Sequence, residues 1–178
     1  MYQVNDPKTG ADLWMLPLRG DRKAVPLLNS KFLEQDGQIS PDGKWLAYTS
    51  TETGRPEIYV RPFPNGGGKW QVSTDSGLRP RWRRDGRELF YVRVSAGGTS
   101  VILTVAIKSG GLTFEHGTPV LLGITIATPS HPGRYLPYAV SPDGQRFLIS
   151  MPPETVAEQS GLLPIAVVIN WAEELRRK

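Results

Sequence analysis

Residues 40–48, Ser-Pro-Asp-Gly-Lys-Trp-Leu-Ala-Tyr, place a tight-turn sequence directly before a run of apolar residues. An Asp-Gly pair between two extended segments is a strong hairpin signal, because both central positions of the favoured turn need positive φ. Two further copies are Arg-Arg-Asp-Gly-Arg-Glu-Leu-Phe-Tyr at residues 83–91 and Ser-Pro-Asp-Gly-Gln-Arg-Phe-Leu-Ile at residues 141–149. The chain therefore repeats one hairpin. The turn glycines are expected at positive φ: Gly43, Gly86 and Gly144.

Aligning the three turns, which lie 43 and 58 positions apart, produces two columns of apolar residues. The column before the turn contains Ile39, Trp82 and Val140. We expect these three residues to be buried on innermost strands, because neighbouring repeat units would cover both faces. The column after the turn contains Leu46, Leu89 and Phe147.

A second match supports the same period. Residues 12–18, Asp-Leu-Trp-Met-Leu-Pro-Leu, align with residues 57–63, Glu-Ile-Tyr-Val-Arg-Pro-Phe, at an offset of 45. Each unit then reads as four short strands joined by tight turns, which is typical of a β-propeller blade. The predicted fold class is all-β, with blades of four antiparallel strands and about three and a half blades in a partial propeller.

The blade units are predicted at about 1–30, 34–74, 78–123 and 133–171, within a single partial domain at 1–178. The first unit begins at its second strand, and the fourth ends after three strands, the last at Pro164–Trp171. Residues 126–132 and 152–162 read as loops because they are rich in Pro, Ser, Thr and Gly. We therefore expect the isolated chain to need the rest of a longer polypeptide, or a second copy, to cover its open edges.

Composition excludes several classes of protein. The 178 residues include 19 Gly and 16 Pro, which argues against a helical bundle, and no Cys, which excludes disulfides and thiolate chemistry. The net charge of +4 is mild and does not demand an anionic partner. No apolar run approaches the ~18 residues of a membrane span.

The Ser-Pro-Asp-Gly repeat resembles the TolB-type β-propeller repeat, a relative of the WD-type repeat, over essentially the whole chain. Residues 54–64, 68–73 and 80–86 also resemble the C-terminal propeller of large bacterial serine/threonine kinases. This resemblance implies a propeller with a binding role, outside the cytoplasm if a kinase domain and a membrane span precede it. The kinase catalytic motifs are absent, so no kinase activity is carried over.

Catalytic and metal sites are poorly supported by the sequence. The two histidines, His116 and His131, are predicted in loops, and no Gly-x-Ser-x-Gly or His-x-x-x-His motif is present. Gly66-Gly67-Gly68 reads as a hairpin connection rather than a phosphate loop. We expect no catalytic residue, no metal and no cofactor. The turn aspartates are expected to cap their own turns: Asp42, Asp85 and Asp143.

The basic run at residues 79–84 is the sharpest charge feature of the sequence. Interleaved Arg and Trp are shared with single-strand nucleic-acid binders. Strand alternation, however, points Trp82 to the opposite face from Arg79 and Arg81 and into the core, so we expect no nucleic acid.

Arg79 and Arg81 fall on the innermost strand, and Asp36 and Gln38 are their equivalents in the preceding unit. These four residues form the predicted binding rim for a protein or a small-molecule ligand. The alternative is that the arginines are solvated and pair with nearby carboxylates: Asp36, Asp85 or Glu88.

The sequence favours a non-catalytic interaction or sensing module, the C-terminal part of a larger bacterial signalling protein such as a serine/threonine kinase. The alternative is an accessory propeller that gates substrate access to a separate hydrolase or peptidase domain. A hydrolase in its own right would lack its base and its nucleophile.

Overall fold

A computed structural model of the chain describes residues 1–94, 99–110, 113–127 and 138–149. Every regular element in these ranges is a β-strand, and all the strand pairs are antiparallel. No helix in this part of the chain is long and apolar enough to cross a membrane. The all-β prediction is therefore confirmed.

The first two sheets follow the predicted blade pattern. The first contains β1 (Tyr2–Asp6), β2 (Gly10–Met15) and β3 (Val25–Leu28) in sequential order. The second contains β4 (Glu34–Ile39), β5 (Trp45–Ser50), β6 (Glu57–Pro62) and β7 (Trp70–Gln71), also in sequential order. The second sheet is thus a complete four-stranded blade.

The third sheet differs from the prediction because it has five strands. They are β8 (Leu78–Trp82), β9 (Glu88–Val94), β10 (Thr99–Gly110), β11 (Thr113–His116) and β12 (Val120–Ala127). Strand β10 is long enough to pair with β12 through its first half and with β11 through its second half. Consequently His116 ends a strand rather than lying in a turn, and Ile126 belongs to a strand rather than a loop.

The fourth sheet contains β13 (Tyr138–Val140) and β14 (Phe147–Ile149). The predicted strand at 164–171, the predicted loop at 152–162, most of the predicted loop at 126–132, and His131 lie outside the described residues.

The three repeated turns share one backbone geometry. Each turn glycine donates its N–H to the carbonyl three residues earlier at 2.9 Å. The φ values of Gly43, Gly86 and Gly144 are +73°, +72° and +74°, as predicted. The turn aspartates are not at positive φ, so these connections are not the two-residue turns expected from the Asp-Gly pairs. They are four-residue loops in which only the glycine is left-handed.

Side chains hold each turn closed. In the first turn the Ser40 hydroxyl accepts from the Trp45 N–H at 2.9 Å, and Asp42 accepts from Ser40 at 2.5 Å and from the Lys44 N–H at 3.2 Å. The turn at 141–146 repeats this pattern. The prediction that the aspartates cap their own turns is confirmed.

The second turn replaces serine with Arg83. Its guanidinium binds Asp85 and Glu88, each at 2.6 Å. The hydrogen bonds from Arg83 and from the Arg87 N–H lower the pKa of Asp85 to about 2.

Three apolar clusters join neighbouring sheets face to face. One cluster joins the first and second sheets through Leu13, Leu28 and Tyr48, and another joins the third and fourth through Phe90 and Tyr138. The largest cluster joins the second and third sheets. Each sheet therefore buries its faces against the next one, as blades of a propeller do.

The largest cluster is centred on three aromatic rings. Phe114 on β11 lies 5.1 Å from Trp45 and 5.4 Å from Trp70, and the two tryptophans lie 5.6 Å apart, measured between ring centroids. Aromatic pairs at such distances stabilise a fold by more than the burial of their surface area alone.

The apolar column before the turns is less buried than predicted. Ile39 is 38% exposed, and Trp82 and Val140 are half-buried. The reason is that β4 and β8 are edge strands of their sheets, so no further strand covers their outer sides. The residues that follow the turns are fully buried on the second strands of these sheets, β5 and β9, where Leu46 and Leu89 are 0% exposed.

Gly43 and Gly144 provide a matched test of how closely the turn of the fourth sheet packs against the third sheet. We expect Gly144→Ala to lower the free energy of unfolding more than Gly43→Ala. Both variants strain the left-handed backbone by about 1–2 kcal/mol. A Cβ at 144 would also lie 2.8 Å from Arg83 Cδ and 3.2 Å from Phe90 Cζ, whereas nothing lies within 4 Å at 43. Urea unfolding measures the difference, with Lys44→Ala as a near-neutral control, and equal losses would contradict it.

The aromatic cluster makes a second prediction. Phe114→Ala removes the ring that contacts both tryptophans, and we expect it to lower the free energy of unfolding by about 3–5 kcal/mol. Tryptophan fluorescence should shift to the red in the folded state, because water reaches Trp70. A loss below about 1 kcal/mol would show that β11 does not hold the second and third sheets together.

Candidate functional site

The innermost strands of three sheets lie side by side. Strand β8 packs against β4 on one side and contacts β13 on the other. Strands β4 and β8 are the edge strands of their sheets. Their side chains therefore lie where three sheets meet and where backbone edges are open. The structure places all four predicted rim residues on these two strands: Asp36, Gln38, Arg79 and Arg81.

Both strands carry a bulge at the same place in the repeat. The register shifts between Gln35 and Gln38 on β4, and between Leu78 and Arg81 on β8. Within the bulges, Asp36 has φ +56° and Arg79 has φ +57°. Left-handed residues other than glycine are uncommon and strained, and they cluster at functional sites. The repeat thus places two strained, charged residues on adjacent strands.

Hydrogen bonds connect the two bulges to neighbouring strands. Thr49 on β5 accepts from the Arg79 N–H at 3.3 Å and makes a weaker contact of 3.5 Å with the Asp36 carboxylate. The Tyr138 hydroxyl donates to the Arg79 carbonyl at 2.8 Å. Three sheets therefore fix the backbone around Arg79. We call Asp36, Thr49, Arg79, Arg81 and Tyr138 the inner-strand cluster.

The charges of the cluster are partly desolvated. Burial raises the pKa of Asp36, and the positive charges of Arg79 and Arg81 offset part of this effect. Burial also raises the pKa of Tyr138, so its hydroxyl stays protonated at neutral pH and remains a donor. The cluster therefore presents a carboxylate whose charge is disfavoured beside two permanent cations.

Arg81 is a half-buried cation of the cluster whose contacts are an aromatic ring and a backbone carbonyl. Its guanidinium lies 5.5 Å from the Tyr138 ring centroid and donates to the Pro80 carbonyl at 2.8 Å. Among the described residues it forms no ion pair within 4.0 Å. Asp85 and Glu88 pair with Arg83, another arginine of the basic run.

Gln38 contributes to the contact between the strands through its backbone, since its carbonyl accepts from Trp82 Nε1 at 3.1 Å and so joins β4 to β8.

Sequence reasoning missed Thr49 and Tyr138. Thr49 carries no signal of its own, because its role depends on the bulges. Tyr138 could have been found, because it lies two residues before Val140 on the aligned innermost strand.

No catalytic or metal arrangement emerges among the described residues. His116 is exposed, and its Nδ1 contacts the Gly117 carbonyl oxygen at 3.0 Å. Across the ranges that the structure covers, no group of three or more His, Asp or Glu side chains could hold a metal ion.

Antiparallel sheets packed face to face, with their first strands adjacent, define this chain as part of a TolB-like β-propeller. Two solved structures share the fold. A TolB protein from Agrobacterium tumefaciens matches with a TM-score of 0.53 and 14% identity, over 66% of this chain and 45% of that one. TolB from Acinetobacter baumannii matches with a TM-score of 0.50 and 18% identity, over 84% of this chain and 45% of that one.

Sequence comparison finds two relatives in Streptomyces coelicolor. Tricorn protease homolog 2 is 31% identical over 156 residues, which is 82% of this chain and 12% of that protein. Tricorn protease homolog 1 is 36% identical over 81 residues, which is 44% of this chain and 7% of that protein. No family model matches the chain. The chain thus spans a small part of these relatives and less than half of the solved TolB structures.

The inner-strand cluster predicts a pH-dependent stability. Because burial raises the pKa of Asp36 above its unfolded value, its contribution to stability is full below about pH 3.8 and is lost as the pH rises through the folded pKa. Asp36→Asn carries no titrating group, so the variant should gain stability relative to the wild type as the pH rises from 3 to 7. Urea unfolding across this range measures the difference. A difference that is constant or reversed in sign would contradict the prediction.

Proposed function

We propose that this chain is a non-catalytic interaction module whose partner binds at the inner-strand cluster. The observation that carries the proposal is the pair of left-handed residues, Asp36 and Arg79, on adjacent edge strands beside Arg81. Innermost strands of a propeller surround its central channel. A partner entering that channel would meet this cluster.

The chemistry of the cluster favours an anionic group on the partner. Arg81 offers a planar donor group that matches a carboxylate, and its contact with Tyr138 holds the guanidinium in place. Burial raises the pKa of Asp36, so the environment disfavours its negative charge, while the two arginines offset part of this effect. Trp82 is half-buried and donates its Nε1–H to Gln38, which argues against a stacking platform for nucleic acid.

Two contexts are compatible with such a module. The relatives named as tricorn protease homologs favour an accessory propeller that gates access to a separate catalytic region. The resemblance to the propellers of bacterial kinases favours a signalling protein instead. In either context, residues 1–178 would form one partial domain, completed by the rest of a longer polypeptide or by a second copy. The sequence encoded next to this segment would separate the contexts: hydrolase motifs there would support gating, and kinase motifs would support signalling.

The binding proposal is tested with hexaglutamate as an acidic peptide probe. We expect Arg81→Gln to weaken its binding about tenfold, the loss for one charged hydrogen-bonding group. Arg87→Gln makes the same charge change at an exposed site outside the cluster and should have little effect. Isothermal titration calorimetry at low salt measures both variants. Equal weakening by the two variants would show a general charge effect and would contradict a site at the cluster.

A further inference from the structure

A cleft lies between the first and second sheets, away from the inner-strand cluster. It has a volume of about 290 Å³, near the lower end of the range for small-molecule sites. It is lined by Leu28 of the first sheet, by residues of β4, β5 and β6, and by the connection from β6 to β7: Glu34, Tyr48, Arg61, Gly68 and Lys69.

Arg61 is the unusual group in this cleft. Its Nε is buried without a hydrogen-bond acceptor, and its guanidinium forms no ion pair with any described carboxylate. The backbone of Gly66 lies so close that a Cβ there would overlap the guanidinium. The glycine-rich connection thus lies against an arginine whose buried Nε–H has no hydrogen-bond acceptor.

The opposite charge is present on another wall. Glu34 is 6% exposed and accepts from the Ser30 N–H at 3.1 Å and from the Ser30 hydroxyl at 2.8 Å. Each of its oxygens can accept a further hydrogen bond. Lys69 adds less to an anion site, because it forms an ion pair with Glu52 and lies over the Tyr59 ring.

We propose that this cleft binds a small carboxylate that also carries a hydrogen-bond donor, an amino acid or a hydroxy acid. Arg61 would bind the carboxylate, and Glu34 would accept from the ammonium or the hydroxyl group. A doubly charged anion such as hydrogen phosphate fits less well, since its second negative charge would face the Glu34 carboxylate. The site is independent of the proposed function, because it shares no residue with the inner-strand cluster.

Three molecules of nearly equal size test this assignment. L-alanine, L-lactate and propionate differ in carrying an ammonium, a hydroxyl or no donor beside the carboxylate. In two-dimensional amide NMR of the whole chain, we expect L-alanine and L-lactate to shift the signals of Arg61, Gly66 and Lys69. Propionate should bind at least about tenfold more weakly, since one charged hydrogen bond is lost. Inorganic phosphate should also bind more weakly, because its second negative charge would face Glu34.

Matched variants locate the site. Arg61→Gln should weaken binding of L-alanine and L-lactate at least about tenfold. Gly66→Ala should weaken it by displacing the guanidinium, whereas Gly67→Ala, where nothing lies within 4 Å, should not. Arg81→Gln should leave it unchanged, which separates this site from the inner-strand cluster.

The outcomes that overturn the proposal are distinct. Absence of shifts at these three residues with L-alanine and L-lactate would exclude the site. Unchanged binding in Arg61→Gln would exclude the role of Arg61, and tighter binding of phosphate would exclude the carboxylate class. If Arg61→Gln does not fold, the Gly66→Ala and Gly67→Ala pair decides, and equal affinities would overturn the proposal.

Discussion

Apolar side chains on both faces of a thin sheet must be covered by something else, and in this chain the neighbouring sheet covers them. Strand β5 illustrates the constraint, because every one of its six residues is buried. Trp45 and Ala47 pack toward the third sheet, while Leu46 and Tyr48 pack toward the first. No sheet of this chain could bury its core alone. The face-to-face contacts therefore determine the order and the spacing of all the sheets, including the adjacency of β4, β8 and β13.

The inner-strand cluster is a product of that adjacency. A bulge on one edge strand would leave backbone groups open to solvent, but here the bulges of β4 and β8 lie against each other with Thr49 between them. The Tyr138 hydroxyl on the fourth sheet then donates a hydrogen bond to the Arg79 carbonyl. The strained backbone is stable because three sheets contact it at once. Polar chemistry at this position thus depends on apolar packing elsewhere.

The parts of the fold that follow from local chemistry could be predicted from the sequence. The Asp-Gly turns and the repeat of short strands depend on neighbours along the chain. The positions of the turns and the four-stranded second sheet were predicted, whereas the turn type and the five-stranded third sheet were not. Burial on edge strands could not be predicted, because it depends on how neighbouring sheets cover the strand. Ile39 lies on an innermost strand and yet is exposed. The pairing of β10 with both β12 and β11 along one edge depends on tertiary contacts that the alternation of residues does not reveal. Similarly, the equivalence of Asp36 and Arg79 follows from the repeat, and both lie in bulges, whereas the contact of Thr49 with them arises only from tertiary structure.

The replacement of serine by Arg83 makes the three hairpins respond differently to the medium, although their backbones are alike. The turns at 40–45 and 141–146 are closed by hydrogen bonds among a serine hydroxyl, an aspartate carboxylate and backbone N–H groups, without a side-chain ion pair, so dissolved ions screen them less. The turn at 83–88 is closed by an arginine between two carboxylates, one of them 46% exposed, so added electrolyte weakens it. Higher ionic strength therefore weakens the side-chain contacts of one repeat more than those of the other two. In concentrated salt the side-chain contacts of the hairpin that adjoins Arg79 and Arg81 would weaken more than those of its two counterparts, while the backbone hydrogen bonds of all three remain.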